Sequence, residues 1–414
     1  MRILELNTVC DTGSTGRIAA EVARLAKQRG HDVWFAYGRG THPSDIQGYK
    51  IGNRIDFICH VFLNFVRGKS GFGSRLVTKR FLRWLDTIRP DIIHIHNLHG
   101  FYIHIGVLFE YIKVNDISVV WTLHDCWSFT GQCAFFDYVG CDKWKVGCYK
   151  CPIYRTEYPY SLFCDNSKEN YYEKRKAFTG VNNLIVVTPS KWISDLVKDS
   201  FLKEYEVRII NNGIDLDRFR IIRSDNGNLS GLRRKNNISE GRNIVLGVAN
   251  VWEDRKGLRE FYQLANILSD EYVIVLIGVP RRVVRLIESS YKDRIIGIKH
   301  TESIGELVCW YNLADVFVNP TLEDNFPTTN IEALACGTPV ITYNTGGSPE
   351  IIDESCGMIV DKNNVDELKE AIVKTIGRSI SREACRKRAE IYDKSDRLLQ
   401  YVTLMESMSE YGTK

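Results

Sequence analysis

The chain has 414 residues, 44% of them hydrophobic and 26% charged, with a formal net charge of +4. This length suggests two or three domains with full cores of their own, and the composition excludes a disordered, collagenous or coiled-coil protein. The 55 basic residues nearly balance the 51 acidic ones, so overall charge gives no sign of nucleic-acid binding. Apolar segments are short and broken by charge, so no membrane-spanning helix is expected. Met1-Arg2 runs directly into the strand-like Ile3-Leu4-Glu5-Leu6 with no recognisable signal peptide, so a cytosolic protein is expected.

Taken in chain order, Arg2–Asn7 is predicted as the first strand. Thr8–Gly16 is a loop with glycines at 13 and 16. Ile18–Gln28 has helical apolar spacing and stops at Gly30. Val33–Tyr37, Asp91–His96, Val119–Leu123 and Leu184–Thr188 follow as strands. A second series opens with Arg208–Ile210. The polar stretch 223–242, with Arg223, Ser224, Asn226 and Gly227, is predicted as a loop or linker. Asn243–Val248, Val273–Gly278, Ile295–Ile298, Val316–Asn319 and Val340–Tyr343 are the later strands. Short β-branched runs alternating with amphipathic helices predict α/β architecture: two doubly wound units, 1–205 and 206–380, and charged C-terminal helices over 381–414 that are expected to pack back toward the N-terminal domain. In such folds ligands bind beyond the carboxyl ends of the strands, and two such units are expected to hold theirs in a cleft between them.

Two segments stand out. In Thr321-Leu-Glu-Asp-Asn-Phe-Pro-Thr-Thr-Asn-Ile-Glu, a strand ends at Pro320, the loop carries Glu323 and Asp324, and a helix starts near Thr328 or Thr329 and stops at Gly337. Glu332 is either the far end of a capping box with Thr329 or, with Asp324, one of two carboxylates flanking a helix N-terminus that offers N–H groups to a phosphate. The second segment is Cys133-x7-Cys141-x6-Cys148-x2-Cys151, in an aromatic insertion over 126–164. Four thiolates with a C-x2-C knuckle suit a structural zinc ion; buried free thiols and disulfides stay open.

Asp324-x7-Glu332, followed by Ala-Leu-Ala-Cys-Gly-Thr-Pro-Val and Gly346-Gly347-Ser-Pro-Glu350, resembles the acidic-x7-Glu signature of glycosyltransferase family 4. The other motifs fall in the family's order: Gly13-Ser-Thr-Gly16, His124-Asp125, Asn211-Asn-Gly-Ile-Asp215, Arg255-Lys256-Gly257 and Gly278. The resemblance implies the GT-B fold, two Rossmann-like domains facing a central cleft, and retaining transfer from a UDP- or GDP-linked sugar. It implies that Glu332 holds the nucleotide ribose and that Asp324 contacts sugar hydroxyls. Asn325, Phe326, Pro327 and Thr328 would meet sugar and phosphate. Lys256, helped by Arg255, would neutralise the departing diphosphate, His124 would lie against the donor sugar, and Gly13, Gly16 and Gly278 would give backbone access to the donor.

One departure is Asn250, where the family usually has a second basic residue, so Arg255 is the expected substitute. Asp215-Leu-Asp217 matches the D-x-D of metal-dependent enzymes of another fold but is expected to be structural here, with no catalytic metal. A nucleotide-sugar epimerase or a partner-dependent, non-catalytic sugar-nucleotide-binding subunit remains the alternative. From Lys50 to Arg89 there are nine Lys or Arg and two Asp. Two amphipathic helices are expected there, with a basic side either simply solvated or docking on anionic lipid at the inner face of the plasma membrane. The acceptor implied by bacterial polysaccharide-assembly members is a lipid-linked glycan.

Overall fold

A computed structural model describes residues 1–42, 44–223, 227–252, 254–378 and 380–411, with side chains to 408. The chain divides into two compact units: Met1–Asn211 with Asp396–Lys414, and Asn212–Ser395.

The first unit is built on a seven-stranded sheet: β1 (Arg2–Val9), β2 (Asp32–Arg39), β3 (Gln47–Lys50), β4 (Ile92–Ile95), β5 (Ser118–Thr122), β6 (Leu184–Thr188) and β7 (Glu206–Ile209). Their order is β3-β2-β1-β4-β5-β6-β7, and every pairing is parallel. β4 is buried along its whole length, as expected for a central strand covered by helices on both faces. Aromatic and aliphatic side chains fill the space on one face, among them Phe109, Trp121 and Phe178. The other face is closed by the first helix (Ala19, Ala20, Val22) and by Tyr401, Val402 and Met405 of the last helix.

The second unit has six parallel strands: β8 (Asn243–Val248), β9 (Tyr272–Ile277), β10 (Ile295–Ile298), β11 (Val316–Asn319), β12 (Val340–Tyr343) and β13 (Gly357–Val360). Their order is β10-β9-β8-β11-β12-β13. Because all six run the same way, the carboxyl ends of β8, β9, β11 and β12 share one edge. The motif loops leave from that edge.

Five expectations need correction. First, the strand expected at Arg208–Ile210 spans Glu206–Ile209 and pairs with β6, so it closes the first sheet and does not open the second. The chain therefore divides after Asn211 and not at 205/206. As an edge strand, β7 has a half-exposed, polar pattern that does not disclose its sheet. Second, the first helix begins at Gly13, inside the expected loop. Third, Ser224 and Asn226 of the expected linker lie outside the described residues, and Gly227–Lys235 is a helix burying Leu229 and Leu232; two leucines three apart suffice for a narrow apolar stripe.

Fourth, the C-terminal region splits. Arg382–Glu390 packs in the second unit through Cys385 and Ala389. The last helix, Lys394–Tyr411, lies on the first sheet, where Arg29 holds both oxygens of Glu406 at 3.0 Å. Fifth, helix Arg54–Arg67 turns Phe57 and Phe65 toward Phe101 and Tyr160, but its outward side is apolar and not the expected basic one. Its buried side chains are His60 and Asn64, while Ile55, Ile58 and Phe62 are 71%, 52% and 67% exposed. Its neighbour Arg75–Ile88 has the expected pattern, with Val77, Phe81 and Leu85 inward and Lys79, Arg80 and Arg83 outward. Among the described residues no helix is long and apolar enough to cross a membrane.

Candidate active site

The motif residues of the second unit converge at the carboxyl edge of its sheet. After β11 the chain turns at Pro320 and forms a loop that leads into the helix Thr328–Ala335, whose N-cap is Pro327. A second turn, Asp254–Lys256, lies against this loop. Leu322 N–H donates to the Arg255 carbonyl at 2.7 Å, and the Arg255 guanidinium donates back to the Glu323 carbonyl at 2.7 Å. Gly257 has φ +77°, and a Cβ there would lie 2.2 Å from the Pro320 carbonyl oxygen. These contacts hold Lys256 over the loop, where its ammonium forms an ion pair with Asp324. Arg255 is thus engaged in holding the loop carbonyl. Asn250, the departure from the family pattern, is exposed.

Glu323 is fully buried, whereas the Asp324 side chain keeps 19% exposure. Asp324 is therefore the carboxylate presented at the surface of the site. A third loop fixes it from behind: Gly347 N–H donates to the Asp324 carbonyl at 3.1 Å, and a Cβ on Gly346 would lie 1.9 Å from that oxygen. Gly346 has φ +55°, so the glycine is needed for both conformation and space. Asn325 and Phe326 are buried beneath the loop, with the Phe326 ring 5.5 Å from that of Tyr392. Glu332, one turn into the helix, accepts a hydrogen bond from the Tyr311 hydroxyl at 2.9 Å. Gly278 ends β9 with φ +92°, and its Cα approaches so closely that a Cβ would lie 1.7 Å from the Ala249 carbonyl oxygen. Asp324 and Lys256 thus stand beside a helix N-terminus, whose partial positive charge favours an anion. This grouping can bind a phosphate through Lys256 and sugar hydroxyls through the carboxylates.

The first unit holds the remaining predicted residues. Gly13 (φ +67°) and Gly16 open the first helix directly after β1; a Cβ on Gly16 would touch Val9 at 3.0 Å. His124 follows β5. Asp125 anchors the loop after it by accepting from Trp127 N–H at 2.9 Å and pairing with His99 at 2.7 Å. Asp215, in the second unit, caps a turn by accepting from Arg218 N–H at 3.0 Å and pairs with Lys394 at 3.5 Å, a structural arrangement.

Sequence reasoning missed Tyr311, which lies in a helix with no motif, and it missed Glu5, His94 and His96. These three form a buried group. The period-two spacing of His94, which faces Glu5 across the β1–β4 register, and His96, just past the end of β4, was the available signal. Among the described residues they are also the one set of three or more potential metal ligands with atoms mutually within 4.8 Å. Every nitrogen of both rings is within hydrogen-bonding distance of a named partner, which accounts for the group without a metal.

Cys133, Cys141, Cys148 and Cys151 line one small cavity with Phe136 and Trp144. Cys133 and Cys151 are in hydrogen-bond contact, and Gly131 N–H donates to Cys148 Sγ at 3.1 Å. The donor chemistry suits zinc, although the four sulfurs are not drawn within 4.8 Å of one another. The ammonium of Lys174 is buried nearby, bonded to the Trp127 and Thr130 carbonyls at 2.7 and 3.1 Å. Burial pulls its pKa down to about 7.

Two family models account for most of the chain: "Glycosyltransferase Family 4" matches residues 15–218 and "Glycosyl transferases group 1" matches 231–391. The chain belongs to the family 4 glycosyltransferases. A putative colanic acid biosynthesis glycosyl transferase, WcaC of Escherichia coli K12, is 27% identical over 99% of this chain and 100% of its own. The N,N'-diacetylbacillosaminyl-diphospho-undecaprenol alpha-1,3-N-acetylgalactosaminyltransferase of Campylobacter jejuni is 26% identical over 47% of this chain and 51% of its own. Among solved structures, sucrose-phosphate synthase from Thermosynechococcus elongatus superposes with a TM-score of 0.73 at 16% identity, covering 98% of each chain. The fold is GT-B. The family 4 glycosyltransferase described here therefore carries its acidic-x7-Glu signature, Asp324 and Glu332, at the carboxyl edge of the second sheet.

Proposed function

We propose that this glycosyltransferase moves a sugar from a UDP- or GDP-linked donor to a hydroxyl of a lipid-linked glycan, in the assembly of a bacterial surface polysaccharide such as capsule, exopolysaccharide or O-antigen. The observation that carries the reading is the convergence of Lys256, Asp324 and Glu332 beside the N-terminus of helix Thr328–Ala335. Lys256 and the helix end meet the charge that grows on the departing diphosphate. Glu332, steadied by Tyr311, accepts from the ribose hydroxyls, and Asp324 accepts from the sugar. The family resemblance assigns His124 to the donor sugar. No step requires a metal ion, and the sugar leaves and is attacked on one face, so its anomeric configuration is retained. The acceptor reading draws support from the full-length similarity to WcaC and from the lipid-diphosphate substrate in the name of the Campylobacter relative.

Two further parts belong to this reading. The exposed Ile55, Ile58, Phe62 and Leu76, beside Arg75, Lys79, Arg80 and Arg83, form a surface suited to the anionic cytoplasmic leaflet. Cys133, Cys141, Cys148 and Cys151 hold one structural zinc ion, and their sulfurs close in on it when it binds.

A thermal-shift panel of UDP, GDP, ADP, CMP and their sugar conjugates, without added metal, tests the donor site. Binding to the folded state raises its melting temperature by mass action. A rise with one nucleotide family, lost in Glu332→Ala, is expected. No rise with any of them, for folded protein, would favour the partner-dependent subunit.

A further inference from the structure

His124 stands at the end of an unbroken chain of buried side chains. Its Nε2 lies 2.9 Å from His96 Nδ1, and the two rings are stacked nearly parallel at 5.3 Å. His96 Nε2 lies 3.0 Å from Glu5 Oε2. The other carboxyl oxygen, Oε1, lies 3.0 Å from His94 Nδ1, and His94 Nε2 lies 2.9 Å from the Thr122 hydroxyl. The phenol of Tyr401, from the C-terminal helix, reaches the same Thr122. Glu5, His94 and His96 have no solvent exposure, or almost none.

Burying a carboxyl and two imidazoles is costly unless every polar atom is satisfied. Burial raises the pKa of Glu5, and its bond to His96 lowers it; in the ionised form, which that bond favours, the hydrogen bonds can be assigned in only one consistent way. Both its oxygens accept, so His94 carries its proton on Nδ1 and His96 carries its proton on Nε2. His96 Nδ1 is then an acceptor and must accept a hydrogen bond from His124 Nε2–H. Burial keeps His96 and His124 neutral at working pH, with pKa values near 3 and 4, so each ring carries one proton. The hydrogen bond made by one ring nitrogen decides which nitrogen is protonated.

We infer that Glu5 is a positioning residue that acts through His96 to fix the ring plane and tautomer of His124, with the proton on Nε2 facing inward and the acceptor lone pair on Nδ1. A neutral, oriented imidazole can accept a hydrogen bond from a sugar hydroxyl through Nδ1. The alternative tautomer would present a donor there. The role in transfer rests on the reading of His124 given above; the tautomer itself does not.

The test is long-range 1H–15N NMR on 15N-histidine-labelled full-length protein, with the His124 signal assigned by its loss in His124→Gln. The wild type is expected to show the Nε2–H signature at His124. Glu5→Gln is expected to keep it, because the amide oxygen can face His96 while His94 switches tautomer toward Thr122. Glu5→Leu removes the acceptor of His96 and is expected to shift His124 toward Nδ1–H. A wild-type Nδ1–H signature overturns the inference, and so does a folded Glu5→Leu with an unchanged His124 signature. If Glu5→Leu does not fold, His96→Leu replaces it with the same expected shift, and an unchanged signature again overturns the inference. Titration with UDP and GDP runs in parallel. If neither binds, the donor reading fails while the tautomer result stands.

Discussion

Lys256 closes an ion pair on Asp324 across two loops that meet at the carboxyl edge of the second sheet. Both side chains are mostly but not fully buried, so the pair can open when a donor arrives. A diphosphate would draw the ammonium away and leave Asp324 to accept from sugar hydroxyls. Lys256→Ala should therefore lower turnover by roughly 100- to 1,000-fold, the usual loss when a group facing developing charge is removed. Asp324→Asn keeps the shape and removes the charge that Lys256 balances. It should weaken turnover more than nucleotide affinity, as read by kcat against KM. Equal losses in both would remove the sugar-contact role.

Glu332 is held by a residue that no motif contains. Burial and the neighbouring carboxylate push the Tyr311 phenol well above its ordinary pKa, so it stays protonated and donates. Tyr311→Phe removes that donor and leaves Glu332 less firmly placed. A hydrogen bond to a charged group contributes about 1.5–3 kcal/mol, and only part of that passes to the ligand. Nucleotide affinity should fall roughly 3- to 10-fold in calorimetric titration. Glu332→Ala should cost more, and a smaller effect from Glu332→Ala than from Tyr311→Phe would contradict the assignment.

The sequence exposed the two parallel sheets well because central strands such as β4, β5, β9 and β11 are short apolar runs closed by Gly, Pro or polar residues. The edges were less legible. β3, β7 and β13 are short and partly exposed, and β7 was placed in the wrong sheet. The motif loop was readable because Asp324 and Glu332 lie on one continuous segment. The partners that fix them, Arg255 to the Glu323 carbonyl and Tyr311 to Glu332, are 68 and 21 residues away, and no local pattern reports such pairings. The Glu5–His96–His124 chain crosses three neighbouring strands and was hidden for the same reason.

The four cavity cysteines give a direct stoichiometric test. Protein purified under reducing conditions should contain one zinc ion per chain by plasma mass spectrometry. Cys151→Ser should lose it and lower the melting temperature, because a structural zinc contributes to folding. Zinc-free protein that takes up none on dialysis against zinc would leave the cysteines as buried thiols.

His60 supplies a pH prediction of definite sign. Its Nε2 accepts from Gly73 N–H at 3.1 Å and its Nδ1 meets Ser74 Oγ at 2.9 Å, so the ring is a neutral Nδ1–H donor. Burial, helped by the nearby His104, pulls its pKa from 6.5 down to about 3. The unfolded chain takes up a proton near 6.5 and the folded chain does not. The stability this ring contributes is complete above pH 6.5 and is lost as pH falls toward 3. The slope is at most about 1.4 kcal/mol per pH unit for one proton. His94, His96 and His124 act in the same direction, while Glu5, whose pKa burial raises, acts in the opposite one. Comparing His60→Gln with the wild type isolates the His60 share. Urea unfolding at pH 6, 5 and 4 should show a shallower loss in the variant, and parallel curves would refute the account.

Helix Arg54–Arg67 puts Ile55, Ile58 and Phe62 at spacings of three and four, so the three share its outward face, while His60 and Asn64 point inward. His60 bonds to Gly73 and Ser74, and the Asn64 amide donates to the Tyr160 carbonyl at 2.8 Å. The helix orientation is therefore fixed by specific polar contacts together with Phe57 and Phe65, and the outward apolar side chains contribute little to the core. Their removal should cost little stability. If the face docks on anionic lipid, Phe62→Asp should weaken sedimentation with phosphatidylglycerol vesicles at low salt while leaving the melting temperature and UDP or GDP binding unchanged. Replacing Lys79, Arg80 and Arg83 by Gln should weaken it through charge, at about 1 kcal/mol per basic residue near the surface, and its effect should shrink as salt rises. The Phe62 effect should persist in salt because it is apolar. Wild-type protein that ignores these vesicles at low salt would remove the membrane part of the reading and leave the transferase site untouched.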